Sequence, residues 1–145
     1  MVRIRKARES DLKTTARIFK EVFNERPWND GWTKERALKR MIHESKASEI
    51  FLCVENGSAI GMVIINKSVG PKYDIGEIKD FEILREYRNK GIGSEFLKEI
   101  ERLLQKKGYK RTYLETYNKS KALDFYKKNK YKLSRHTTFK TKKLK

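Results

Sequence analysis

The sequence is short of cysteine, of histidine and of long apolar runs, and each shortage closes off a class of protein. A single cysteine, Cys53, cannot form an internal disulfide, which fits a reducing cytoplasm. It sits in the apolar run "IFLCVE", where a buried inert thiol is expected rather than a nucleophile. Two isolated histidines, His43 and His136, lack ligand spacing, so no metal site is expected. No stretch reaches the length of a membrane span, and the opening "MVRIRKARESDLK" has no apolar run of the signal-peptide kind. No repeat, low-complexity tract or linker interrupts the 145 residues, so one domain over 1–145 is expected, as a monomer or a homodimer.

Acids are scarce beside bases. Lys plus Arg number 36 against 19 Asp plus Glu, a formal charge of +17. Such an excess favours a polyanionic partner: nucleic acid, an anionic membrane or a phosphorylated cofactor. The lysines read as spread along the chain rather than gathered in one block, so charge alone does not choose among these. Most of them read as a solvated surface.

What is present is an alternation of strands and helices, the α/β (α+β) class. Val2 to Ala7 reads as a strand, and Ser10-Asp11 offers a cap to a helix with Leu12, Ala16, Phe19, Val22 and Phe23 on one face. "NERPWNDGW" (24–32) breaks the pattern. Thr33 can cap a second helix with Ala37, Leu38, Met41 and Ile42 inward. Strands over 49–55 and 59–66 flank an Asn-Gly hairpin turn, a loop covers 69–74, and a long alternating strand runs over 75–84. Ile92, Phe96, Leu97, Ile100, Leu103 and Leu104 mark a helix that Gly108 ends. A strand over 111–117, a short helix over 120–129 and one or two strands in "KYKLSRHTTFKTKKL" close the chain.

Between the long strand and its helix stands "REYRNKGIGSEF" (85–96). A dinucleotide fingerprint needs a third glycine where Phe96 stands, and a P-loop needs Gly-Lys-Ser/Thr rather than Lys90-Gly91. What remains is a basic loop with two glycines at a helix start. Such a start offers unpaired N–H groups and partial positive charge, so it is either a pyrophosphate cradle or an ordinary strand-to-helix turn.

Arg88-Asn89-Lys90-Gly91-Ile92-Gly93 resembles the Arg/Gln-x-x-Gly-x-Gly/Ala motif of the GNAT superfamily of acetyl-CoA-dependent N-acetyltransferases. The likeness extends over the chain, through "IRKARESDLKTTARIFKEVF", "EIKDFEILREYRNKGIGSEFLKEIE" and "YLETYNKSKALDFYKKNKY". "PWNDGWTKERALKR" is similar to an aminoglycoside-acetyltransferase-like subgroup. The resemblance implies a mixed, mostly antiparallel sheet of about seven strands, splayed between strands four and five, with about four helices. It implies pantetheine in that split against the backbone near Ile83 and Leu84. It implies a pyrophosphate on the amides around Arg88, Asn89, Lys90, Gly91, Ile92, Gly93 and Ser94. It also implies transfer to a primary amine of a small molecule or protein, by direct attack in a ternary complex. Two positions depart from the family pattern. The asparagine before the fourth helix falls on Lys119, with Asn118, a candidate cofactor contact, one place off. The late glycine is Lys130, ahead of Tyr131.

The chemistry needs a group to take the amine's proton. Glu77, Asp80 and Glu82 lie on the long strand; Glu77 and Asp80 match positions that are acidic in different branches of the family. Strict alternation puts Glu77 opposite Asp80 and Glu82 unless a bulge intervenes. By the same resemblance Tyr126 is the acid that protonates the departing thiolate. Trp28, Asp30 and Trp32 read either as core plugs or as an acceptor wall with an anion for a cationic substrate. A different class of function, a basic module that contacts nucleic acid or a ribosomal surface, rests on the charge alone.

Overall fold

A computed structural model describes residues 2–66 and 75–145, and the loop expected over 69–74 lies outside them. The chain divides into two compact units, Met1–Glu115 and Thr116–Lys145.

The first unit runs β1 (Arg3–Lys6), α1 (Leu12–Phe23), α2 (Lys34–Ala47), β2 (Ser48–Glu55), β3 (Ser58–Asn66), β4 (Ile75–Ile83), α3 (Ile92–Lys106) and β5 (Arg111–Leu114). The strands lie side by side in chain order, antiparallel except for the parallel β4–β5 pair. Local chemistry sets several boundaries. The Thr33 hydroxyl accepts the Arg36 N–H at 3.2 Å and starts α2. Asn56 and Gly57 both take positive φ, as a two-residue hairpin turn requires. Asp11 does not cap α1 with its side chain; it accepts the Arg8 N–H at 2.7 Å and pairs with Arg5, closing the turn ahead of the helix.

α1 and α2 cover one face of the sheet, burying Phe19, Met41, Leu52, Met62 and Ile64 in one core. On the other face Phe96 of α3 stacks on Phe81 of β4, with ring centroids 5.1 Å apart. One inward position differs from expectation: Ile42 is exposed and Glu44 is buried. The buried stripe of α2 runs through positions 37, 41 and 44, and residue 42 falls roughly 100° away from it.

β4 carries two irregularities. Its pairing with β5 runs from Ile75–Arg111 to Ile78–Leu114 and stops, while β4 continues to Ile83. β5 ends at Leu114 while β4 runs on, which leaves an open edge of β4 where the split is expected. Against β3, Ile78 faces Ile65 and Asp80 faces Ile64, so Lys79 is an extra residue, a β-bulge.

The second unit holds α4 (Ala122–Lys128) and the turn after it. Lys130 adopts φ +68° where the family pattern has glycine, so the turn keeps its left-handed form. It closes with the Tyr131 N–H donating to the Tyr126 carbonyl at 2.9 Å. The expected closing strands do not form: the described residues hold five strands, and none lies beyond Leu114. Leu133, Phe139 and Leu144 are 96%, 80% and 82% exposed, so the stretch has no buried face to fix a strand register. Charge is also less evenly spread than expected. Residues 116–145 hold eleven Lys and Arg against one acid, Asp124, which is ten of the seventeen net positive charges.

Candidate active site

The end of β4 expected to meet the cofactor is built from backbone. Gly61 faces Ile83, and a Cβ there would lie 2.5 Å from the Glu82 carbonyl oxygen, so glycine lets the end of β4 seat against β3. The Leu84 N–H donates to the Ile60 carbonyl at 2.9 Å. Antiparallel hydrogen-bonded pairs alternate, so the N–H and C=O of Ile83 turn away from β3 toward the split. Of the two residues expected beside pantetheine, Ile83 has its N–H turned that way while its carbonyl accepts from Arg88, and Leu84 has its N–H committed to β3.

The glycine loop then winds into α3. The Tyr87 and Arg88 N–H groups are spent on the carbonyls of Leu84 and Arg85. Asn89 and Gly91 take φ of +61° and +80°, and Gly91 is the residue that precedes the first turn of α3. A Cβ built on Gly91 meets nothing within 4 Å, so the loop is open there. The amides of Ile92, Gly93 and Ser94 head the helix with no carbonyl one turn back within it. The Lys90 ammonium lies 5.8 Å from the centre of the Tyr87 ring. Open left-handed backbone, helix-start amides and a nearby cation suit a diphosphate. Arg88 differs from expectation in how its charge is used. Its guanidinium is held by the Glu25 carboxylate at 2.7 and 3.3 Å, and its Nε donates to the Ile83 carbonyl at 2.7 Å.

The acid end is built from side chains. The Lys79 bulge moves Ile78 and Asp80 to opposite faces, which brings Glu77 to the face of Asp80 and Glu82, under α2. Glu77 accepts the Asn66 side-chain N–H at 2.8 Å. It also hydrogen-bonds the Tyr113 phenol, whose pKa is pushed up first by burial and then by that carboxylate. Asp80 meets Arg40 of α2 at 3.2 Å. Burial pushes the Asp80 carboxyl up to about 6; Arg40 and Lys79 oppose the rise, and Glu44 and Glu77 add to it. Burial also works to raise Glu44, but Lys79 at 3.0 Å, Ser48 at 3.1 Å and Arg40 at 3.3 Å hold it below its ordinary value. Glu82 is 2% exposed, and neither of its carboxyl oxygens has a hydrogen-bond partner among the described residues. Burial, with the Asp80 charge second, raises its pKa well above the ordinary range.

The loop after α1 carries the acceptor-wall candidates. Trp32 sits edge-on to Phe19 at 4.8 Å, with Arg36 and Arg40 within 6.0 Å of its ring centre. Trp28 packs on Phe23 at 5.3 Å. Asp30 is exposed and accepts the Trp32 indole N–H at 3.3 Å. Both tryptophans are half-buried: Trp32 packs against the core, and Trp28 reaches it through Phe23. Tyr126 and Asn118 belong to the second unit. There Tyr126 contacts the rings of Phe125 and Tyr131 at 5.1 and 5.6 Å, and Asn118 is exposed.

Sequence reasoning missed Glu25, Arg40 and Glu44. Arg40 and Glu44 stand four apart on α2, a spacing that flags an ion pair but not its burial. Nothing local ties Glu25 to Arg88, 63 residues away.

A family profile described as the acetyltransferase (GNAT) family matches residues 12–131. The chain belongs to that family: it is an acyltransferase that uses acetyl-CoA. No curated protein matches the sequence. Solved structures share the fold. PaiA N-acetyltransferase from Thermoplasma acidophilum, solved with coenzyme A, is 21% identical with a TM-score of 0.71, covering 89% of this chain and 88% of that one. Ribosomal-protein-alanine N-acetyltransferase from Brucella melitensis biovar Abortus is 14% identical with a TM-score of 0.77, covering 98% and 99%. An aminoglycoside acetyltransferase from an uncultured soil metagenomic sample, solved with sisomicin, is 18% identical with a TM-score of 0.70, covering 99% and 97%. At these identities the likeness is one of fold.

Proposed function

We propose that the chain, working as one domain, is an N-acetyltransferase for a primary amine, with Asp80 as the carboxylate that takes the amine's proton. The carrying observation is the Lys79 bulge, which sets Asp80 on a shared acidic face with a carboxyl at about 6. Acetyl-CoA supplies the activated acyl group. The glycine loop holds its diphosphate, and the outward N–H of Ile83 orients its arm. An amine with pKa ~10.4 lies about four units above Asp80, so transfer is uphill by roughly 6 kcal/mol. Loss of water around the amine lowers that gap by disfavouring the ammonium. Asp80 takes the ammonium proton first; the freed nitrogen lone pair then forms the new bond to the acyl carbon, and the nitrogen's surplus proton leaves to water. By resemblance, Tyr126 gives a proton to the thiolate as the C–S bond breaks. The acceptor face favours a cationic amine: Glu44, Glu77 and Asp80 outnumber Arg40 and Lys79. The protein and aminoglycoside acceptors named for the related folds both fit that description. The test is a screen of peptide N-termini, polyamines and aminoglycosides for CoA release; silence across all three, with no stabilisation by acetyl-CoA, sinks the reading.

A second reading has its own observation. The cations of residues 116–145 form no ion pair among the described residues, so they stand ready for a polyanion such as nucleic acid. It predicts binding to single-stranded RNA that weakens steeply with salt. Absence of binding in low salt disposes of it.

A further inference from the structure

The Glu25–Arg88 pair joins the two loops that the proposed reaction uses. Glu25 lies just beyond α1, in the loop that carries both tryptophans. That loop is internally braced. The Asn24 side chain donates to the Trp32 carbonyl at 2.9 Å and accepts its N–H at 2.6 Å. The Asn29 N–H donates to the Glu25 carbonyl at 2.9 Å, and the Asp30 N–H to the Phe23 carbonyl at 3.0 Å. Whatever moves Glu25 therefore moves Trp28 and Trp32. Arg88 lies at the start of the glycine loop and holds three segments at once: the loop after α1, the last residue of β4, and its own turn. Its planar fork fits the carboxylate with two bonds, and the pair is half-buried, at 33% and 22% side-chain exposure, which limits screening. A diphosphate arriving at the amides after Arg88 is a second anion competing for the same guanidinium.

We propose that Glu25 is a positioning residue that, through Arg88, couples cofactor binding in the glycine loop to the placement of the Trp28–Trp32 acceptor wall. The inference rests on the reading that these loops receive CoA and the acceptor. Arg88 then serves as the link between the sites rather than as a free cation for the diphosphate. Coupling is reciprocal, so cofactor and acceptor each strengthen or weaken the other's binding by the same factor.

The chain has two tryptophans, both in this loop, so their fluorescence reports on it alone. CoA is titrated into the whole protein by calorimetry and by tryptophan emission. The expected result is binding with an emission change in the wild type. In Glu25→Gln, CoA still binds, about fivefold or more differently, but the emission change is lost. Arg88→Lys, which keeps the charge without the two-bonded fork, should lose most of the change, and Glu25→Asp should restore part of it. Wild-type binding without an emission change overturns the coupling and leaves the CoA reading standing. An unchanged response in both Glu25→Gln and Arg88→Lys does the same. Failure of the wild type to bind CoA at all removes both. Circular dichroism of each variant guards against reading misfolding as lost coupling.

Discussion

The two ends of β4 are built from different materials. At its C-terminal end the site is backbone: Ile83 turned toward the split, a left-handed Gly91, and the first amides of α3. From Glu77 to Asp80 the site is side chains drawn from three elements, with Arg40 and Glu44 of α2, Ser48 at the start of β2, and Glu77 and Asp80 of β4 converging. A backbone site depends on conformations that few residues adopt, so its sequence signature is local. A side-chain site depends on which faces the sheet and helices present, and a one-residue bulge redraws that.

The largest expected effect attacks the backbone end. Gly91→Glu forces a side chain onto φ +80° and puts an anion into the cradle. CoA affinity measured by calorimetry should fall by roughly a hundredfold or more, about 3 kcal/mol. Unchanged affinity would mean that the diphosphate sits elsewhere.

The next attacks the side-chain end and should leave the cofactor alone. Asp80→Asn is expected to lower kcat/KM by about 10²–10⁴, with CoA affinity within error of the wild type. In the wild type the acid limb of kcat/KM should turn near pH 6, since Asp80 must be ionised to accept a proton. If Glu77→Gln removes that limb and Asp80→Asn does not, the roles of the two carboxylates are exchanged.

A third outcome concerns stability in the same variant. The folded Asp80 pKa lies above its ordinary 3.8, so ionisation opposes folding. That cost is absent below about pH 4 and fully present above pH 6, at no more than about 3 kcal/mol. Asp80→Asn should therefore raise Tm at pH 7, with the gain fading as pH falls toward 4. A lower Tm at pH 7 would show that the Arg40 pairing outweighs the burial cost.

The smallest effect is expected at the bulge itself. Lys79→Ala removes one cation from Glu44, whose pKa is depressed. Such a group stabilises the fold above its ordinary pKa and loses that contribution as pH falls through its folded value. Thermal melts should show a loss of about 1 kcal/mol at pH 7 that disappears in strong acid. A loss that persists in acid would assign Lys79 to holding the bulge rather than to charge.

The same division explains what could be read without coordinates. The α1 and α3 stripes, the Thr33 cap and the Asn56-Gly57 turn were all legible, because each depends on spacing or on residues with strong local preferences. Ile42 was misassigned because one position along a helix is a large rotation. The closing strands were misassigned because alternation near Leu133 and Phe139 has no buried face to enforce it. Glu77 could be placed only conditionally, since nothing in "IGEIKDFEIL" announces an extra residue at Lys79.

The order of residues by itself determined the element sequence as far as α4, the glycine loop and the family, because helix starts and left-handed turns answer to neighbours along the chain. The tertiary structure alone decided that Glu77, Asp80 and Glu82 share one face, that Glu44 and Glu82 are buried, and that Arg88 holds Glu25. Those facts follow from strand register and from contacts across 35 to 63 residues, where a carboxylate's charge and partners depend on what packs above it.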